Sequence, residues 1–104
     1  MNPRIKQLWV TALRSGQYRQ GRGILRSTDG AHCCLGVLCD LHAKETGTLW
    51  YYDYLGAFKW LPRQVADWAG LSSPDPDILG STLSRMNDRG SSFAEIAEII
   101  EREL

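Results

Sequence analysis

Five residues of the chemistry-bearing types fall within eleven positions: His32, Cys33, Cys34, Cys39 and His42. Structural zinc takes two ligand pairs, each spaced about two to four residues apart. Cys34 and Cys39 are five apart, which on a helix points them about 140° away from each other. Cys39 and His42 can share a face, but no second pair follows them. A thiol nucleophile needs a base within hydrogen-bond reach. His42 lies eight residues beyond Cys34, about 12 Å along a helix, too far to serve. Cys34 near a helix start would otherwise have its thiolate favoured by the dipole. The spacing therefore predicts buried thiols packing as small apolar groups, with a cysteine-dependent enzyme as the lesser reading and no metal.

The stretch before them is better placed to bind. Arg14-Ser15-Gly16-Gln17-Tyr18-Arg19-Gln20-Gly21-Arg22-Gly23 combines glycines, which leave backbone N–H groups accessible, with guanidiniums able to grip two oxygens of an anion at once. Arg14, Arg19 and Arg22 are the candidate phosphate holders, with Ser15 beside them and Tyr18 and Gln20 available to a base. The loop lacks the strand-to-helix context of a Walker or dinucleotide motif. Trp50, Tyr52 and the aromatics up to Trp60 offer stacking faces, which also suit a core. Asn87 and Asp88 read first as a turn whose side chains bond nearby backbone, and second as a polar ligand contact. The final segment, LSRMNDRGSSFAEIAEII, has the outline of part of a helix-turn-helix. Its last helix carries Glu95, Glu98, Glu101 and Glu103, which repel phosphate, so sequence-specific DNA binding is not expected.

These residues must be held by local elements. Asn2-Pro3 is an N-cap followed by proline in the first turn, and Ile5, Leu8, Trp9, Ala12 and Leu13 recur at helical spacing up to Ser15-Gly16. Ile24–Arg26, the turn dipeptide Asp29-Gly30 and Ala31–Cys33 read as a hairpin. Cys34 to about Glu45 is apolar on most sides, a central buried helix ended by Gly47, and Gly36 within it marks the close approach of another backbone. Alternation through Trp50–Tyr54, with Gly56, predicts a second hairpin. Leu61-Pro62 opens a short helix closed by Gly70. Leu79–Met86 forms a short helix or turn, and Asn87–Gly90 a turn. Ser92 and Glu95 form a capping box before Phe93, Ile96, Ala97 and Ile100.

A chain of 104 residues with 43% hydrophobic and 23% charged residues is one domain, 1–104, large enough to bury about two thirds of its unfolded surface. No apolar run approaches the roughly 18 residues of a membrane span, and no signal segment opens the chain, so a cytoplasmic protein is expected. The net charge is zero but unevenly distributed. Residues 1–28 carry six bases and no acid, whereas residues 64–104 carry eight acids against three bases. The resulting expectation is an α+β domain: an N-terminal helix, a small antiparallel sheet or hairpins, a central buried helix and a C-terminal helical pair.

Four segments also carry a resemblance: W-x-x-A-L-R-S-G-x-Y-x-Q-G-x-G-x-L (Trp9 to Leu25), C-C-L-G-V-L-C-D (Cys33 to Asp40), L-P-x-x-V-x-x-W (Leu61 to Trp68) and N-D-x-G-x-S-F-x-E-I-A (Asn87 to Ala97). Over nearly its whole length the chain resembles a family of small proteins encoded in bacteriophages and prophages. The resemblance implies a phage-type accessory protein acting in the host cytoplasm. Phage accessory proteins of this size often act by binding, some by occluding a host protein and others by sequestering nucleotide messengers of bacterial defence. The combined expectation is a non-enzymatic binder of an anionic, nucleotide-like small molecule, with no cofactor. The alternative is a host-protein interaction module using the aromatic segment or the acidic last helix; a homo-oligomer is compatible with either.

Overall fold

The computed structural model describes residues 1–104. Helix α1 (Pro3–Arg14) starts where Asn2 Oδ1 accepts the Ile5 N–H, at 3.0 Å, and buries Ile5, Trp9, Val10 and Leu13. The buried stripe is rotated from the one the spacing predicts: Val10 is inside, and Leu8 is exposed. The cause is the packing of α1 chiefly against α5 (Phe93–Glu103), whose apolar face of Phe93, Ile96, Ala97 and Ile100 lies against it. The reciprocal capping box at Ser92 and Glu95 forms as expected.

Helix α2 (Cys34–Thr46) is the centre of the molecule, with Cys34 through Cys39 all buried and neighbours in α1, α3 and α4. It ends at Gly47 in the left-handed region, φ 75°. The close approach at Gly36 is real. A Cβ there would sit 1.8 Å from the Leu25 carbonyl oxygen, so the preceding loop lies directly on the helix.

Helix α3 (Arg63–Ala69) closes at Gly70. Next comes the one sheet, a two-residue-per-strand antiparallel hairpin of β1 (Asp77–Ile78) and β2 (Ser81–Thr82), turned through Leu79 and Gly80 at φ 56° and 88°. Two consecutive positive φ values are what a two-residue hairpin requires. Helix α4 (Leu83–Asp88) follows, capped by Thr82, and pairs with α5. The domain is α+β, five helices and one small sheet. No helix is long and apolar enough to cross a membrane.

Both predicted hairpins shrink to single bridges, and the sheet forms elsewhere. In the first, Arg26 faces His32 across a turn at Ser27–Gly30; in the second, Tyr54 faces Ala57 across Leu55-Gly56. Leu25 explains why no ladder grows. Its carbonyl accepts from Cys33 N at 3.2 Å, as the hairpin requires, but its N–H bonds Phe58 O at 2.7 Å instead of returning to Cys33, whose carbonyl accepts from Val37 N at the start of α2. The predicted Asn87–Gly90 turn is also corrected: Asn87 and Asp88 complete α4, with Arg89 as its C-cap.

Candidate anion-binding groove

The residues singled out from the sequence divide into those that hold the fold and those that face solvent. Asn87 is fully buried. Its Oδ1 accepts from Cys34 N at 3.1 Å and from Gln20 Nε2 at 2.9 Å, and its Nδ2 donates to Gly21 O at 2.8 Å. Cys33, the N-cap of α2, offers no side-chain cap of its own. The amide from α4 therefore satisfies one of the orphan N–H groups that every helix start leaves. Gln20 also donates to Ser91 O, and Asp88 accepts from Gly23 N at 2.9 Å. Gln20, Asn87 and Asp88 thus seam the N-terminal loop to α4.

Tyr18 and Trp50 belong to a second internal network. Both donate to Asp40, the Tyr18 hydroxyl at 2.5 Å and the Trp50 indole N–H at 3.0 Å, while Lys44 donates to the Tyr18 oxygen. Burial alone would push the Asp40 carboxyl up; the bonds from Tyr18 and Trp50 and the charge of Lys44 outweigh it and hold it below its ordinary value. Burial and the bond to Asp40 push the Tyr18 phenol up. Between these rings stands His32, edge-on to Tyr18 at 5.2 Å and to Trp50 at 5.8 Å, with neither ring nitrogen bonded. Burial lowers its pKa, so it is held neutral. The remaining loop residues lie outside. Arg14 pairs with Glu101, Ser15 bonds the last turn of α1, and Arg19 pairs with Asp29 at 3.0 Å. Arg22 is unpaired and reaches toward Gly90; Tyr52 is 81% exposed.

The thiols are inside. Burial pushes Cys33 up to about 11 and raises Cys34 and Cys39 as well. His42 Nδ1 is 2.7 Å from the Tyr54 hydroxyl. No three His, Cys, Asp or Glu side chains converge as a metal site.

The feature with chemistry left over is a groove of about 650 Å³ between the loop at Gly23-Ile24, the Lys59-Trp60 pair and α4. Two carboxylates also line it: Asp75 accepts from the Ser84 N–H at 3.0 Å and from the Ser84 hydroxyl, and Asp88 accepts from Gly23 N, neutral donors that leave both negative charges in place against three cations. Lys59, Arg85 and Arg89 form no ion pair and donate no side-chain hydrogen bond, and Trp60 beside them is 54% exposed. Arg85 and Arg89 are four apart and so lie on one face of α4 and its cap. That spacing was available in the sequence, as was the Lys59-Trp60 adjacency, but both sit in stretches whose other residues read as turn and core. Of the predicted loop, Gly23 lines the groove. A neighbouring cleft of about 750 Å³ is lined by Arg26, Tyr51, Tyr52 and Phe58, and Ile24 belongs to both depressions.

Comparison with curated proteins and with solved structures returns no match. A family model described as a domain of unknown function, DUF8296, matches residues 1–104, and the chain belongs to that family.

Proposed function

We propose that the chain binds an anionic, nucleotide-like small molecule in this groove and holds it without turnover. The observation that carries the reading is the set of three unpaired cations, Lys59, Arg85 and Arg89, beside the exposed face of Trp60. Guanidiniums on one helix face suit phosphate oxygens, and a free indole face suits a base, whose stacking contributes about 1–3 kcal/mol in single-stranded complexes. A binding role is supported by the chemistry of the lining: its one thiol, Cys33, is buried and protonated, and no imidazole faces it. Such a binder suits the phage-type accessory role that the sequence resemblance implies, sequestering a nucleotide signal in the host cytoplasm.

The test is thermal stabilisation by a panel of mononucleotides, cyclic dinucleotides and ADP-ribose derivatives. A ligand at 100-fold excess over its Kd stabilises by about 2.7 kcal/mol. The Arg85→Ala/Arg89→Ala variant is expected to lose that shift, while Arg19→Ala, whose partner is Asp29, keeps it. No shift from any member, or a shift unchanged in the double variant, overturns the proposal. The alternative, a host-protein interaction module, draws on the exposed rings next to the groove.

A further inference from the structure

Six of the eight large hydrophobic side chains exposed on the whole surface fall between Leu49 and Trp60. An exposed apolar cluster of this kind marks a binding surface more often than an accident of folding. Its composition along the cleft is selective. Tyr51, Tyr52 and Phe58 line the depression, whereas the exposed Leu49 and Leu55 do not. The apolar lining is therefore three aromatic rings and one aliphatic side chain, Ile24. The cleft is lined by no carboxylate; its cation, Arg26, lies over the Trp50 ring at 4.5 Å and donates to Tyr51 O at 3.0 Å. Ile24 also lines the adjacent groove, where Lys59, Arg85 and Arg89 stand against Asp75 and Asp88. One nucleotide on Trp60 would leave the other three rings uncovered.

We infer that the ligand of this surface is a short single-stranded stretch of nucleic acid, several nucleotides long, bound without sequence preference. Its phosphates lie along Lys59, Arg85 and Arg89, with one base on Trp60 and the following bases beyond Ile24 on the Tyr51, Tyr52 and Phe58 faces. The inference rests on the nucleotide-binding reading above and extends it from one unit to several. Single-strand binders combine a cationic track with successive aromatic platforms, because every base has a π-face whatever its sequence. A duplex is a poor occupant, since its bases already stack on each other. Three phosphate contacts on a single strand give a slope of log Kobs against log salt of about −2.

The probes are fluorescein-labelled oligothymidylate and oligouridylate of two to twelve nucleotides, the mononucleotide dTMP, a twelve-base-pair duplex, and a twelve-residue polyglutamate, each titrated against the full chain. Affinity is expected to rise with oligonucleotide length over the first few units and then level off, with the salt slope above. Tyr52→Ala/Phe58→Ala removes only surface rings, and circular dichroism checks that the fold is kept. It should weaken the oligonucleotide about tenfold or more while leaving dTMP within about twofold. Arg85→Ala/Arg89→Ala should weaken both. Oligonucleotides that bind no tighter than dTMP, or an unchanged affinity in the Tyr52/Phe58 variant, overturn this inference and leave the single-nucleotide reading standing. Loss of dTMP and oligonucleotide binding alike removes both. Polyglutamate or the duplex binding as tightly as the single strand would assign the surface to a generic polyanion or an acidic protein segment instead.

Discussion

Replacing Asn87 with alanine should cost the protein a large share of its stability, and the size follows from what the amide leaves behind. Alanine deletes the acceptor for Cys34 N–H, at 3.1 Å, and the donor to Gly21 O, at 2.8 Å. Gln20 keeps Ser91 O as an acceptor, and Asp88 keeps Gly23 N as a donor, so neither is left alone. Two backbone groups are orphaned, one of them at a fully buried residue. A buried group left without a partner costs about 1–3 kcal/mol. Alanine returns at most about 0.7 kcal/mol of helix propensity. The expected loss is about 2–5 kcal/mol, against a total of about 5–15 kcal/mol for a domain. With an m-value of about 1.5 kcal/mol/M, the urea midpoint should fall by about 1.3 M or more. Gln20→Ala should cost about 0.5–1.5 kcal/mol, because Asn87 Oδ1 still accepts from Cys34 N. The double variant should fall short of additivity, since the two side chains share a bond. An Asn87→Ala midpoint within about 0.3 M of the parent would refute the tether, because about 0.5 kcal/mol is the ordinary range for an exposed turn residue.

Gly36→Ala should destabilise by about 3 kcal/mol or more although alanine is the better helix former, because the new Cβ meets the Leu25 backbone oxygen, which moves only if the loop lifts off α2. An unchanged or raised urea midpoint would mean that the loop does not rest there. Stability should also decline with acid in two separate limbs. Burial lowers the pKa of His32 and of His42, so the unfolded chain takes those protons first; stability is full above the ordinary value of 6.5, is lost as the pH falls below it, and levels off under the folded values. His32→Phe should flatten this limb in part, leaving the share of His42, and an unaltered limb in that variant would sink the assignment. The folded Asp40 carboxyl is held below its ordinary 3.8, so its contribution is present above that pH and lost as the pH falls through the lower folded value; Asp40→Asn should shrink that second limb in acid-denaturation curves, leaving the shares of Asp29, Glu45 and Glu95, which are lowered too.

What could be read in the sequence was what local chemistry decides. Asn2-Pro3, Gly47 and the Ser92–Glu95 box each set a helix end with partners within four residues, and all three hold. Gly36 was legible for a related reason: glycine inside an otherwise strong helix needs a cause, and close backbone contact is the commonest. The hairpins were not legible, because alternation records which side chains face inward and says nothing of where each backbone bond goes. Leu25 shows this. Its side chain is buried as a strand residue's would be, and its carbonyl serves the predicted partner Cys33, yet its N–H goes to Phe58. Asn87 failed most completely. In Asn-Asp-Arg-Gly the local reading is a turn, but the bonds that matter reach Cys34 and Gln20, 53 and 67 residues away.

The groove was hidden by counting charge along the chain instead of across a surface. Residues 64–104 total eight acids against three bases, which reads as a segment hostile to anions. In space those acids are dispersed or engaged. Four are on α5, where Glu101 meets Arg14, and Glu98 and Glu103 meet Arg102. Asp75 and Asp88 accept from a hydroxyl and from backbone N–H groups. Arg85 and Arg89 form no ion pair, and Lys59 joins them from a segment that sums to nearly neutral. Coulomb attraction depends on separation and on screening over about 8–10 Å, not on sequence order. The most acidic segment of the chain thereby contributes two of the three cations that line the groove.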